Sequence, residues 1–316
     1  MEGESVEAEE RDNIITPWTS VTTSTSNNTM APITHHLVSL AAGTSPESFV
    51  AALRALPEDQ KPLWVGQCHH WVHDPRLSVA ALTGSGPVLK KWDYLIVAKT
   101  TGPASDDIAP SIGSFLSDKW SINAEGADNY LDELPGKHQR LASEGGPALP
   151  TGWTADNHEA LDAAEPFTDL NLSIDTKSPT MGKDRIDSQV DYKTFNRTFG
   201  TSPAGAGPIA MFNLLSFFPG QMPQYFKYVE GFINVLGPIT GAQPLTMGLD
   251  VSDWSSKEDD KNDDGAWEMV AVVWYPSIWH FGVMLGDERY AQLDRDFKVG
   301  VVRDNPLVCC TPVDLD

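Results

Sequence analysis

The densest group of side chains able to bind a metal or move a proton is Cys68-His69-His70-x-x-His73. On an extended strand Cys68 and His70 share one face, while His69 and His73 share the other, about 13 Å apart. One metal cannot reach both histidines of that second pair unless the chain folds back at Asp74-Pro75. No further ligand pair at zinc-finger spacing accompanies them, so no metal is expected. Histidines lining a pocket rim at a strand end are the simpler account. His36 and His69 are the candidate proton acceptors, because a neutral imidazole near its ordinary pKa takes a proton at physiological pH. His280 falls in the first turn of a helix, where the positive dipole end disfavours its charged form, and a solvent-facing or interface role accounts for it.

Asn213 shares a strand face with Met211, Leu215 and Phe217, so one amide stands in an apolar row and needs a partner in the protein or in a ligand. If it serves a ligand, Met211, Phe217 and Trp267 supply apolar contact, and Tyr275 adds a hydroxyl near the pocket mouth. Asp260-x-Asn262-x-Asp264-Gly265 opens like a calcium loop, but Ala271 stands where that loop has its bidentate glutamate, so a solvated acidic loop is expected. No Walker loop, dinucleotide glycine pattern or nucleophile elbow occurs, and no cofactor is expected.

These residues need elements to hold them. Residues 267–275 are apolar on both faces, with Met269, Ala271 and Val273 on one and Val270, Val272 and Trp274 on the other, so the pattern predicts a strand covered twice. Pro276-Ser277 breaks it, and a helix follows with Ile278, Phe281 and Leu285 on one face. Earlier, residues 35–40 read as a strand, and Ser45-Pro46 caps a helix whose buried face is Phe49, Leu53 and Leu56. Strands follow from 62 and from 92, and residues 112–134 read as mostly helical around Phe115, Leu116, Trp120 and Leu131. The segment 135–208 is rich in Gly, Pro, Ser and Asp, with a strand expected at 169–174 and a helix at 186–199. Residues 1–31, acidic and then Ser/Thr/Asn-rich, read as a disordered tail.

The second half echoes the first. Leu37-Val38-Ser39-Leu40 matches Leu214-Leu215-Ser216-Phe217, and Trp92-Asp93-Tyr94-Leu95 matches Trp267-Glu268-Met269-Val270, at separations of 177 and 175. Between them Pro62-Leu63-x-x-Gly66 matches Pro244-Leu245-x-x-Gly248. Each copy reads strand, helix, strand, strand, helix, and the second closes with a strand at 307–313. That order, βαββαβ, is the ferredoxin-like one. The expected organisation is a tail (1–31), a first α+β unit with its long connection (32–200) and a second unit (207–316).

On the strand Asn213-Leu214-Leu215-x-Phe217, the strand and turn ending in Tyr275-Pro276-Ser277, and the helical residues Phe281, Met284, Asp287 and Tyr290, the second half resembles the dimeric α+β barrel superfamily. Within it the likeness is to a short bacterial domain-of-unknown-function family. It covers residues 207–316, and reaches the first half through the repeat, where His36 replaces the asparagine and the Tyr-Pro-Ser turn is missing. The resemblance implies two sheets paired into a barrel, here closed within one chain, and a small-molecule pocket between sheet and helices. A haem site exists elsewhere in that superfamily and is not expected here.

Composition narrows the partners. With 22 Lys+Arg against 44 Asp+Glu the formal charge is −22, which repels nucleic acid and anionic membranes. Three cysteines, two of them neighbours, fit a reducing, cytoplasmic setting. The expectation is a soluble intracellular barrel, a monomer with an internal pseudo-dimer or a homodimer, binding a partly apolar metabolite. It would act as a cofactor-free isomerase, cyclase, decarboxylase or oxygenase, the alternative being a non-catalytic module whose barrel is filled by side chains.

Overall fold

The computed structural model describes residues 30–75, 80–84, 89–100, 108–164, 192–252 and 267–315. The first half contributes β1 (Met30–Leu40), α1 (Pro46–Arg54), β2 (Trp64–His73), α2 (Ala80–Thr83), β3 (Tyr94–Lys99), α3 (Pro110–Gly113) and β4 (Leu116–Ala127). A connection follows through α4 (Asp128–Glu133), α5 (Lys137–Glu144), α6 (Glu159–Ala163) and α7 (Tyr192–Gly200). The second half holds β5 (Ile209–Phe217), α8 (Met222–Gly231), a π-helical turn (Phe232–Leu236), α9 (Gly237–Thr240), β6 (Gln243–Ser252) and β7 (Met269–Tyr275). It ends with α10 (Ile278–Leu285), α11 (Glu288–Phe297), β8 (Val302–Asp304) and β9 (Leu307–Pro312).

Eight of these strands close an antiparallel barrel in the order β7-β6-β4-β1-β3-β2-β9-β5, with β5 returning to β7 and β8 added at the end of β5. Two seams join the halves, β2 to β9 and β4 to β6. Leu37 lies opposite Leu95, which also faces Gly66. In the second half Leu214 lies opposite Val270, which also faces Gly248. Both glycines are forced by close approach: a Cβ on Gly66 would sit 2.3 Å from the Trp64 ring, and one on Gly248 would sit 2.5 Å from Ala124 Cβ.

The two-sided strands have the two covers they require. Val270, Val272 and Trp274 face a barrel interior shared with Leu37, Leu95, Phe212 and the indoles of Trp64, Trp120 and Trp267. Met269, Ala271 and Tyr275 face the helices outside. The indole nitrogens of Trp64, Trp120, Trp267 and Trp274 are buried without an acceptor. Burying 150–250 Å² per ring contributes about 4–6 kcal/mol, which outweighs the roughly 1–3 kcal/mol a missing hydrogen bond costs.

Residues 112–134, expected to be mostly helical, are helical only at their ends, in α3 and α4. The middle, 116–127, forms β4 instead, because Trp120, Ile122 and Ala124 recur every second residue and point inward while Ser121 and Asn123 point away. Between β3 and β4 the described residues hold only the four-residue α3 where the expected order has a full helix. Met30 and Ala31, expected in the tail, already belong to β1. The rest of that tail, the strand expected at 169–174 and the acidic loop at 253–266 lie outside the described residues, as does the start of the 186–199 helix, whose remainder is α7. The connection is ordered where it crosses α10: Gly200 packs on Trp279, and Trp153 lies against Gly282 and Gly286. Among the described residues no helix is long and apolar enough to cross a membrane.

His35 points into the barrel, stacks on Phe212 at 5.8 Å and meets Thr246 Oγ1 at 3.2 Å. Burial, aided by neighbouring His36, lowers its pKa to about 3. The unfolded chain takes up a proton near pH 6.5 and the folded one does not, so this stabilisation is complete above pH 6.5 and is lost as pH falls towards 3. Denaturant titrations across that window are expected to lose up to about 1.4 kcal/mol per pH unit to this group. His35→Gln should flatten the slope, and an unchanged slope would contradict the assignment.

Candidate functional site

A cavity of about 70 Å³ lies outside the barrel, between the β5–β6–β7 face and the helices of the second half. Its floor is Met211, Asn213 and Leu215 from β5, Met247 from β6, and Met269, Ala271, Val273 and Tyr275 from β7. The roof comes from Tyr225, Tyr228 and Val229 of α8, from Phe232 and Ile233 of the π turn, and from Phe281, Met284 and Tyr290. Lys298, Asn305 and Leu307 close one end.

Local sequence sets these positions. In α8, which has a proline in its first turn, Tyr225, Tyr228 and Val229 recur at three and four residues and so share the buried stripe. In α11 the Asp287 side chain caps the first turn by accepting from Arg289 N–H, and Tyr290, Asp294 and Lys298 then succeed one another at four-residue steps along one face. That face is buried: Lys298 and Asp294 are each 2% exposed, and Lys298 Nζ lies 3.1 Å from Asp294 Oδ1 and 5.1 Å from the Tyr228 ring centre. The π turn places Phe232 and Ile233 at the cavity; such turns recur at functional sites.

The polar groups are mostly donors. Burial raises the phenols of Tyr225, Tyr228, Tyr275 and Tyr290 well above the ordinary tyrosine value, so they stay protonated. Tyr228 and Tyr290 share a hydrogen bond, and Tyr275 Oη donates to Met284 Sδ at 3.3 Å. Asn213 Nδ2 donates to Met211 O at 2.9 Å, and its Oδ1 accepts from Asn305 Nδ2 at 3.4 Å. Asn305 Nδ2 also reaches Leu214 O, and the Asn305 carbonyl accepts from His73 Nδ1, so a polar chain runs from β2 to the cavity.

Of the residues singled out from sequence, the cavity gathers Met211, Asn213 and Tyr275. Phe217 is buried one step away, with its ring 5.0 Å from Tyr225, and Trp267 is in the barrel interior. His36 is on the outer face of β1, its Nδ1 2.8 Å from Ser121 Oγ. His69 is on β2, its Nε2 2.7 Å from Thr311 Oγ1 and its ring 5.1 Å from Phe199. Neither histidine lines the cavity. Among the described residues no three His, Cys, Asp or Glu side chains converge as metal ligands, and Cys68, His69, His70 and His73 spread along β2. His280 Nε2 donates to Pro147 O at 2.9 Å, so its Nδ1 accepts from Ser277 Oγ at 2.8 Å, and burial lowers its pKa. It acts as a neutral clasp between α10 and the connection. The sequence reading missed Tyr225, Tyr228, Asp294, Lys298 and Asn305; the signal for the lysine was the four-residue rhythm from Tyr290.

No protein-family profile matches the chain, and no curated protein matches it. A solved structure from Lactobacillus acidophilus NCFM, described there as a "putative monooxygenase", covers 89% of this chain and 94% of its own at 7% identity and a TM-score of 0.41. That likeness is too slight to carry an activity across.

Removing one member of the Lys298–Asp294 pair strands the other as a buried charge. Lys298→Met is expected to cost about 3–5 kcal/mol, and Asp294→Leu combined with Lys298→Met to restore most of it. Chemical denaturation of the single and double variants reads this directly. A single variant as stable as the parent would show that the pair is hydrated.

Proposed function

We propose that the chain is a small-molecule-binding protein whose site is the cavity on the outer face of β5–β7, and that its ligand is a small neutral carbonyl compound. The observation that carries this is an apolar chamber with hydrogen-bond donors left over after its internal bonds: the ammonium of Lys298, the phenol of Tyr225, one phenol of the Tyr228–Tyr290 pair, and one amide hydrogen of Asn213. Lysine has three N–H groups and Asp294 Oδ1, 3.1 Å from the nitrogen, balances its charge, while asparagine has a second amide hydrogen beyond the one given to Met211 O. An oxygen that only accepts fits this set. A carboxylate fits less well, because Asp294 already balances Lys298 and a second anion would be buried unpaired. The space is less than half of the about 150 Å³ that takes benzene, so a six-membered ring enters only where the walls give way. The Met211, Met247, Met269 and Met284 walls are the side chains able to yield to a larger guest.

Binding is favoured over turnover because the lining described here holds no carboxylate or imidazole to take a proton. The same donors would stabilise charge developing on a carbonyl oxygen, so cofactor-free isomerisation of a neutral carbonyl compound is the chemistry closest to this site. The filled-barrel alternative has support of its own in the tryptophan-packed interior, and a site outside the barrel is compatible with it.

We also read the chain as two ferredoxin-like units paired as an internal pseudo-dimer. The support is strand order: β4-β1-β3-β2 in one half and β9-β5-β7-β6 in the other each run fourth-first-third-second. The residue triplets Leu37, Leu95, Gly66 and Leu214, Val270, Gly248, matched by sequence, also hold equivalent registers.

A matched probe series tests the ligand class: cyclohexanone, cyclohexanecarboxylate, cyclohexylammonium and methylcyclohexane, each titrated by NMR. Cyclohexanone should bind tightest, and Ala271→Phe, which fills the floor, should abolish binding at a folding cost of about 1–3 kcal/mol. Tightest binding of the carboxylate would overturn the ligand class alone. Binding by none, or binding indifferent to Ala271→Phe, would overturn the site.

A further inference from the structure

We infer that Cys68 and Cys310 are a dithiol–disulfide couple that staples the β2–β9 seam under oxidation by a hydroperoxide. The two residues lie directly opposite each other in the antiparallel ladder, and their sulfurs are 3.6 Å apart. Opposed residues in such a ladder have Cβ atoms about 4.5–5.5 Å apart, and a disulfide needs about 3.5–4.5 Å with sulfurs at about 2.05 Å. A small closing of the strands with rotation about χ1 therefore makes the bond. Cys309 does not compete, because alternation along β9 sends its side chain to the outer face, opposite Met211.

Access is asymmetric. Cys310 is fully buried, whereas Cys68 is half-buried and lines a second cavity of about 110 Å³ beside Trp71 and Trp92. A hydroperoxide is small enough to enter there. Attack by the Cys68 sulfur breaks the O–O bond and gives Cys68 sulfenic acid with release of water or an alcohol. The Cys310 sulfur then attacks the sulfenic sulfur, forms the S–S bond and releases water, so two thiols lose two hydrogens while the peroxide is reduced. Burial pushes the Cys68 thiol up, which makes the first step the slow one.

The seam is where a staple would matter. Its register shifts between Cys68 and His70 and again between Trp71 and His73, so its backbone pairing is irregular right beside the two sulfurs. Both strands then continue towards the site, β2 through His73 to the Asn305 carbonyl and β9 through Leu307 in the cavity wall.

The test uses the full chain, reduced, then exposed to hydrogen peroxide. The expected product has lost two hydrogens in intact mass, yields a peptide joining Cys68 to the 309–310 segment, and unfolds at higher denaturant until dithiothreitol reverses the shift. Cys309→Ser should leave all of this unchanged, and Cys68→Ser and Cys310→Ser should each abolish it. Cys68→Ala serves if the serine at 68 impairs folding. Accumulation of sulfinic acid at Cys68 without cross-linking, or a cross-link that survives Cys310→Ser, would overturn the proposal.

Discussion

Closure of the barrel is the constraint on which the remaining structure depends. Each of its eight strands has a hydrogen-bonded neighbour on both sides, and β5 makes this possible by taking β9 along one edge and β7 along the other. A sheet closed on itself leaves few backbone groups to pair with another chain, which reduces the usual hazard of an exposed strand. It also divides every strand into an inward row and an outward row. The inward rows meet across a space that side chains must fill, and large indoles fill it. The outward rows need cover from elsewhere, and the pattern of that cover decides where a cavity can exist.

Much of this was legible where one local pattern governed. Residues 267–275 are apolar on both faces because one row joins the interior cluster and the other lies under helices. Ser45 and Pro46 begin α1 as their chemistry requires, with Ser45 Oγ accepting from Ser48 N–H at 3.1 Å. Residues 116–127 misled because two periods compete in them. Leu116 and Trp120, four apart, suggest a helix, while Trp120, Ile122 and Ala124 obey the strand period. The strand prevails because β1 and β6 offer it ladders on both sides, a tertiary fact that no window of sequence contains.

The site was legible only in part for the same reason. Asn213 stands out because its own strand is otherwise apolar, and that contrast is local. Lys298 does not stand out, since a lysine and an aspartate four apart at a helix end describe an ordinary solvated pair. They are buried because α11 packs against α8, which brings the Tyr228 ring over the ammonium. Asn305 is still harder to foresee, as its amide reaches Asn213 and Leu214 across more than ninety residues of chain.

The two halves cover their outward rows differently, and this explains why the tyrosine-lined cavity lies under the helices of the second. On the first half α1 drives Phe49 and Leu53 against Val38, Val65, Tyr94 and Ile96, with Phe49 and Tyr94 rings 4.8 Å apart. Flat apolar surfaces of complementary volume leave little space. His36, at the position matched to Asn213, is turned to Ser121 and is 1% exposed. On the second half the cover is assembled from α8, a π turn, α10 and α11, and a helix interrupted by a π turn cannot keep one continuous ridge in the groove beneath it. Space remains under the interruption, and tyrosines line it because their rings provide apolar area while their hydroxyls provide donors. A lone buried ammonium would be costly in such a chamber, and Asp294 on the same helix face offsets it. The polar character of the site thus follows from the irregular cover, and the irregular cover is affordable because the closed barrel beneath it supplies the stable platform.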